Sequence, residues 1–502
     1  MVKSQAVDHL ALLPLYAAAG TAVLALLVDL FLARRAAVVA VTLFGTAATA
    51  AGALIAGAGD GTFCTTGGCS WTPTWPAAVT AALFAALTAG VLGLSIPTLR
   101  LGAAPAGEFC FLLACSMTGG VTVAYAGDLL TLVVGLETLT LPLYILVGLR
   151  RYAPTDRPSI RPAEASLTFY LISVVSTAIA LLGMALIYAA TGAVHLNLLA
   201  PAPAPFTALG GVGASLLVIG LAFKVAAVPL HAWAPTTYDG APIPIAAYLS
   251  TASKLGGVLA LAAVVAHLDT GAVLSALAVL TMTVGNLAAL RQTRMVRLLA
   301  WSSIAQAGYI LAALALGAPG VPAALAYAVF FVILEFVAFS VVAALRPAKR
   351  VAREAVALAA SVPADTDGGI LDDYRGLAHQ HRWVGAAMIL ALSGLAGLPP
   401  GLAGLFAKVT VVGTLVARGW TWLAVIVVVN AVIALAYYVR VAALLYTRPS
   451  TPGIPIINPA LLHEITHPRF PVPRPVTVTL LIASAFAILL GFAPQLLFNA
   501  FS

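Results

Sequence analysis

Three lysines and two glutamates in strongly apolar surroundings are the residues of this chain best placed to do chemistry. Lys224 lies in Leu221-Ala-Phe-Lys224-Val-Ala-Ala-Val228, Lys254 between Ile245-Ala-Ala-Tyr-Leu249 and Gly256-Gly-Val-Leu-Ala260, and Lys408 in Leu405-Phe-Ala-Lys408-Val-Thr-Val-Val412. Glu137 stands in Gly135-Leu-Glu137-Thr-Leu-Thr-Leu-Pro142, and Glu335 in Ile333-Leu-Glu335-Phe-Val337. A charged side chain at the centre of a bilayer costs roughly 2.5–3.5 kcal/mol on insertion scales, so such groups usually mark an ion or proton path. Lysine and glutamate both exchange protons, and a nearby carboxylate strengthens an ammonium's hold on its proton. The pattern therefore reads as a proton or cation path, with a structural ion pair as the plainer alternative for Glu137.

The elements that must hold these groups follow from composition. Of 502 residues, 62% are hydrophobic and 8% charged, and the mean hydropathy is +1.05. This excludes a water-soluble domain and describes an all-α polytopic membrane protein. At about 20 apolar residues per crossing, the chain offers fourteen candidate spans: 10–32, 36–58, 76–96, 107–126, 129–149, 166–190, 208–230, 241–262, 271–290, 298–316, 321–345, 384–415, 420–445 and 476–498. With the N-terminus placed outside, 20 of the 25 Lys and Arg residues fall on one side. Only Lys3 and Arg418 oppose them, and the remaining three are the lysines within spans. Basic residues in short loops collect on the cytoplasmic side, so both termini are expected on the outer, periplasmic side. The net charge of +8 thus reports topology and gives no reason to invoke nucleic acid. Lys3 precedes a span too long for a signal-peptide core, and Arg34-Arg35 follows it, so no cleavable signal is expected.

Helix breakers sit beside two of the lysines. Pro229 follows Lys224, and Gly394-Leu-Ala-Gly-Leu-Pro399-Pro400-Gly401 precedes Lys408. The matching octets around Lys224 and Lys408, 184 positions apart, suggest two repeats of about five helices containing broken spans, the plan of many transporters. This divides the chain into 1–106, 107–262, 263–445 and 446–502. His231, seven residues after Lys224, is expected on the same helical face, at the cytoplasmic mouth where an imidazole exchanges protons near neutrality; a packing histidine is the bland reading. Ser302, Ser303 and Gln306 in the tenth span either hold water or bond between helices. Glu335 has no base beside it in sequence, so something must pair it or keep it protonated. Asp29, Glu108 and Glu164 read as interfacial, Asp128 as a loop acid, and 346–383 as a cytoplasmic docking or structural loop. Gly210-Gly-Val-Gly213 follows no strand and is no nucleotide loop. The four cysteines form no metal-ligand pattern. Cys110 and Cys115 read as packing residues, while for Cys64 and Cys69, in the outer loop 59–75, a disulfide and two free thiols are equally open.

Phe223-Lys224-x4-Pro229-Leu-His231-x-Trp233-x-Pro235-x-x-Tyr238-Asp239-Gly240-Ala-Pro242-x-Pro244, with Ser253-Lys254 behind it, closely resembles the antiporter-like membrane subunits of the proton-pumping NADH:quinone oxidoreductase, respiratory complex I. The likeness continues through Gly135-Leu-Glu137, Arg297-Leu-Leu-Ala-x-Ser-Ser-Ile-Ala305, Lys408 and Tyr437-Tyr438-x-Arg440. The Tyr238-Asp239-Gly240 turn and lysine at 408 are most similar to the N type among them. The resemblance implies inverted five-helix repeats and a hydrophilic axis: Glu137 paired with Lys224, Lys254 as central relay, and Lys408 facing the outlet. His231, Tyr238, Gln306 and Glu335 are secondary candidates. Gln306 stands where a histidine is common, Thr236 replaces a usual acid, and Glu335 is an unusual carboxylate. The resemblance further implies a hetero-oligomer with other membrane and peripheral subunits in the lipid of the cell membrane. No cofactor or metal is expected in this chain; NADH, FMN, iron–sulfur clusters and quinone are expected elsewhere in the complex. A subunit of a multi-subunit sodium/proton antiporter and a purely structural membrane subunit are the alternatives.

Overall fold

The computed structural model describes residues 7–65, 67–102, 104–149, 160–201, 203–357, 368–447 and 472–501, with main chain only for 160–161 and 346–357. Much of the expected docking loop, the basic residues Lys3, Arg150, Arg151, Arg157, Arg448 and Arg469, and most of the segment before the last helix lie outside the described residues.

Helices dominate because a bilayer offers no water to satisfy a free backbone. In chain order they are α1 (Leu13–Leu32), α2 (Arg35–Ala56), α3 (Trp75–Arg100), α4 (Ala106–Tyr125), α5 (Leu129–Gly148), α6 (Ile160–Thr191), α7 (Thr207–Ala222), α8 (Trp233–Gly240), α9 (Ile243–Tyr248), α10 (Lys254–Val265), α11 (Gly271–Leu290), α12 (Met295–Leu314), α13 (Val321–Ala357), α14 (Leu377–Gln380), α15 (Arg382–Ala396), α16 (Leu402–Ala417), α17 (Thr421–Tyr446), α18 (Arg474–Phe492) and α19 (Gln495–Phe501). Among the described residues twelve helical stretches are long and apolar enough to cross a membrane, so the expected count of fourteen is not reached there on that criterion. The other two expected spans correspond to α12, which carries Arg297, Ser302, Ser303 and Gln306, and to the short pair α15 and α16.

Among the described residues the strands are one antiparallel hairpin, β1 (Thr62–Thr65) and β2 (Gly68–Trp71), with Cys64 opposite Cys69 and the two joined in a disulfide. That resolves the open question of their pairing. Asp128, expected as a loop acid, instead caps α5: its carboxylate accepts from the Thr131 amide at 2.7 Å and the Thr131 hydroxyl at 3.1 Å.

Two features organise the interior. The first is α13, buried at every position from Ala323 to Leu345, whereas the most apolar stretches of the outer helices α1 and α18 are less than a third buried. The second is a set of interruptions beside the lysines. Helix α7 gives way to a 3-10 turn at Phe223–Val225, and Ala226 turns left-handed at φ 59°. The expected continuous span 208–230 therefore breaks at Lys224. His231 does not share a helical face with Lys224, because no helix joins them. A π-helical turn, Leu249–Ser253, leads into α10 immediately before Lys254. Between α15 and α16 the chain leaves the helix at Gly397 (φ 84°) and passes Pro399-Pro400, and prolines supply no amide to carry the ladder across. The two halves of this break pack tightly: a Cβ on Gly404 would lie 1.7 Å from the Gly394 carbonyl oxygen.

Candidate functional site

Lys224 sits at the end of α7, where the helical ladder stops, and is only 5% exposed. Its ammonium donates to Glu137 Oε1 at 3.0 Å, Thr140 Oγ1 at 3.0 Å and Ser173 Oγ at 3.4 Å. These contacts match the three donors of an ammonium. Glu137 and Thr140 lie three residues apart on α5, one helical face, which is why both reach the same cation. Glu137 Oε1 also accepts from Thr177 on α6 at 2.8 Å, and the Tyr144 hydroxyl donates to Ser173 at 2.5 Å. Glu137 is itself 26% exposed. The pair inferred from sequence is thus an ion pair lodged among four hydroxyl side chains.

Lys254 begins α10 and donates to Ser303 Oγ on α12 at 2.8 Å. Its ammonium lies 5.9 Å from the centre of the Phe331 ring on α13, within cation–π range. Gly257, three residues on, packs so close to Lys224 that a Cβ there would fall 2.8 Å from the Lys224 Cβ. The two lysines therefore lie on elements in direct contact, and Lys254 also borders an apolar space lined by Val225, Val258, Ala307, Ile310, Ala328 and Phe331.

Lys408 lies on α16 and reaches back across the break to donate to the Leu395 and Ala396 carbonyls at 2.8 and 2.7 Å. These are last-turn carbonyls of α15, which have no partner within their own helix and carry the negative end of its dipole. The Tyr309 ring centre lies 5.5 Å from the ammonium.

Gln306 joins the last two lysines. Its amide donates to the same Leu395 carbonyl at 2.9 Å and to the Tyr438 hydroxyl at 3.0 Å, and accepts from Tyr327 at 2.6 Å. Tyr438 in turn bonds to Ser302 at 2.5 Å. A continuous polar run thus leads from Ser302, next to the serine holding Lys254, to the carbonyl holding Lys408. Of the two readings of this serine and glutamine cluster, direct bonding between helices is the one observed.

The remaining candidates divide. Glu335 is fully buried on α13 and accepts from Ser250 Oγ at 2.9 Å. Tyr238 is fully buried on α8, and its hydroxyl has no hydrogen-bond partner among the described residues. His231 stands apart: half-buried in the connection after the α7 break, it donates to the Pro229 carbonyl at 3.2 Å and rests against Trp301 at 5.2 Å. Asp239, from the turn that carries the resemblance, pairs with Arg294 at 2.8 Å. Sequence reasoning missed Thr140, Ser173, Thr177, Ser250, Tyr327 and Tyr438 as partners. Thr140 and Tyr438 fell within quoted motifs, whereas nothing in the sequence set Tyr327 apart. Among the described residues no group of three or more His, Cys, Asp and Glu is arranged to hold a metal ion.

Residues 126–434 match the family model described as NADH:quinone oxidoreductase/Mrp antiporter, transmembrane. NADH-quinone oxidoreductase subunit N of Salinispora tropica is 53% identical, covering 99% of this chain and 98% of the relative. Among solved structures, a chain of respiratory complex I from Thermus thermophilus with bound aureothin is 27% identical at a TM-score of 0.77, covering 97% of this chain and 100% of that one. A chain of the Mrp complex from Dietzia sp. DQ12-45-1b is 21% identical at a TM-score of 0.82, covering 98% and 96%. The last match speaks to fold alone.

Proposed function

We infer, for a chain that belongs to the NADH:quinone oxidoreductase/Mrp antiporter transmembrane family, that it is the proton-translocating N-type membrane subunit of an NADH:quinone oxidoreductase. The observation that carries this over the antiporter alternative is the 53% identity to a subunit N across both chains. As a multi-pass membrane protein it works in a hetero-oligomer with the other subunits of that complex. NADH, FMN, iron–sulfur clusters and quinone belong to those other subunits in this reading, and the chain binds none of them. The orientation read from the basic residues places both termini on the periplasmic side. Residues 1–106 and 446–502 flank two inverted repeats, 107–262 and 263–445, each contributing a broken helix.

Glu137 and Lys224 form the first station of the proton axis, Lys254 the centre and Lys408 the outlet. What supports this is the pairing of Lys224 with a single carboxylate at 3.0 Å. A conformational signal that separates Glu137 from Lys224 weakens the lysine's hold on its proton, and the proton moves on toward Lys254. Lys408, held only by carbonyls among the described residues, accepts and releases a proton with no carboxylate to retain it. His231 and Tyr238 serve at the cytoplasmic approach and beside Lys254. Gln306 positions the run between Lys254 and Lys408 without titrating.

The test has two parts. In mild detergent the chain should copurify with NADH-oxidising peripheral subunits; copurification with antiporter subunits instead would overturn the assignment. In vesicles containing the assembled complex, Lys224→Ala should abolish proton pumping, and undiminished pumping would overturn the proposed axis.

A further inference from the structure

Glu335 is a buried acid that the axis above leaves without a function. It is fully buried in the middle of α13, the most enclosed helix. One carboxyl oxygen accepts from Ser250, and the other has no hydrogen-bond partner among the described residues. A carboxylate with an orphaned oxygen is costly in such surroundings unless a cation faces it or a proton sits on it.

The geometry around it links it to a cation. Ser250 lies four residues before Lys254, across the π-helical turn that leads into α10. Phe331, which the Lys254 ammonium faces at 5.9 Å, lies four residues before Glu335 and so on the same face of α13. The ammonium and the carboxylate are thus linked along two elements, one turn of the α10 entry from Lys254 to Ser250 and one turn of α13 from Phe331 to Glu335, without a direct ion pair between them. Tyr438 belongs to the polar run ending at Lys408. Gln306, at the centre of that run, has its amide fully engaged by Leu395, Tyr438 and Tyr327 and has no titratable proton to pass on.

We propose that Glu335 is a proton-holding residue that serves Lys254, exchanging a proton with it over the Ser250 hydroxyl. The transfer balances. Lys254 swings from Ser303 to Ser250, its N–H bond breaks as the serine oxygen takes the proton, and the serine's original proton passes to the carboxylate it already faces. Ammonium and carboxylate become amine and carboxylic acid, and the serine is unchanged. The inference rests on the proton-translocating reading of the preceding section and adds a Glu–Lys proton exchange to it.

Vesicles containing the assembled complex provide the test, with the rate of NADH-driven proton uptake as the readout. Glu335→Gln should lower pumping roughly tenfold, the effect of about 1.4 kcal/mol on a barrier. Glu335→Asp should recover part of it with a shifted pH profile. Wild-type pumping in Glu335→Gln would overturn the proposal, as would equal losses in both variants with an unchanged pH profile, which is what a merely structural acid gives. If Glu335→Gln fails to assemble, Ser250→Ala decides: slowed pumping supports the relay, and wild-type pumping overturns it. Lys224→Ala separates the two readings. Pumping lost there but intact in Glu335→Gln overturns this inference alone, whereas intact pumping in both overturns the axis as well.

Discussion

Replacing Glu137 by glutamine keeps the shape of the first station and removes its charge. At the observed 3.0 Å, two unit charges attract by about 5–6 kcal/mol at an effective dielectric constant of about 20. Glu137 is 26% exposed, so screening brings the loss to about 2–3 kcal/mol, at the low end of what breaking a buried pair costs. Thr140 and Ser173 remain as acceptors, which is why the variant should still assemble. If the paired state is what loads Lys224, that loss translates into proton pumping slower by roughly 30- to 150-fold. Quinone reduction should fall with it to the extent that the two are coupled. The measurement is NADH-driven proton uptake and quinone reduction in vesicles, with assembly checked on native gels, and Glu137→Asp should fall between the variant and wild type. An assembled Glu137→Gln complex that pumps at the wild-type rate would refute the reasoning, because a 3.0 Å ion pair would then contribute nothing to the reaction.

Three further outcomes follow from the geometry. Gln306→Leu leaves the Tyr327 hydroxyl without its acceptor, at about 1–3 kcal/mol for a buried orphan, while Tyr438 keeps Ser302; the melting temperature of the purified complex should fall, and an unchanged one would mean that the Tyr327 bond is not made. Gly404→Ala should prevent the α15–α16 break from closing, since its Cβ would meet the Gly394 carbonyl at 1.7 Å, whereas Gly413→Ala on the same helix meets nothing within 4 Å and should be silent; yields of assembled complex compare the two. Thiol labelling of the denatured, unreduced chain should find Cys110 and Cys115 reactive and Cys64 and Cys69 protected, with all four reactive only after reduction.

The costly residues were legible in the sequence because their cost is local: a lysine flanked by alanine, valine and leucine is conspicuous wherever the chain folds. The breaks were legible for a similar reason, since Pro229 and Pro399-Pro400 cannot continue a helix. How a break redirects the chain was not. The spacing of seven puts His231 on the same helical face as Lys224, yet the left-handed turn at Ala226 ends the periodicity on which that expectation depends. Asp128, just before the span drawn from 129, reads as a loop acid; that its carboxylate turns back onto Thr131 is decided by the backbone at the helix entry.

What the sequence determined by itself is that this chain crosses a membrane many times and carries acids and bases where hydrocarbon should be. Both follow from transfer free energies that depend on residue type. Only the tertiary structure decided which groups meet. Glu137 finds Lys224 across 87 positions, Ser250 finds Glu335 across 85, and one carbonyl at Leu395 receives both Lys408 and Gln306. Such pairings depend on which faces of which helices touch. In a chain this uniformly apolar, hydropathy hardly distinguishes one helix face from another, so the pairing is decided by glycine-lined close approaches and by the demand of each buried polar atom for a partner.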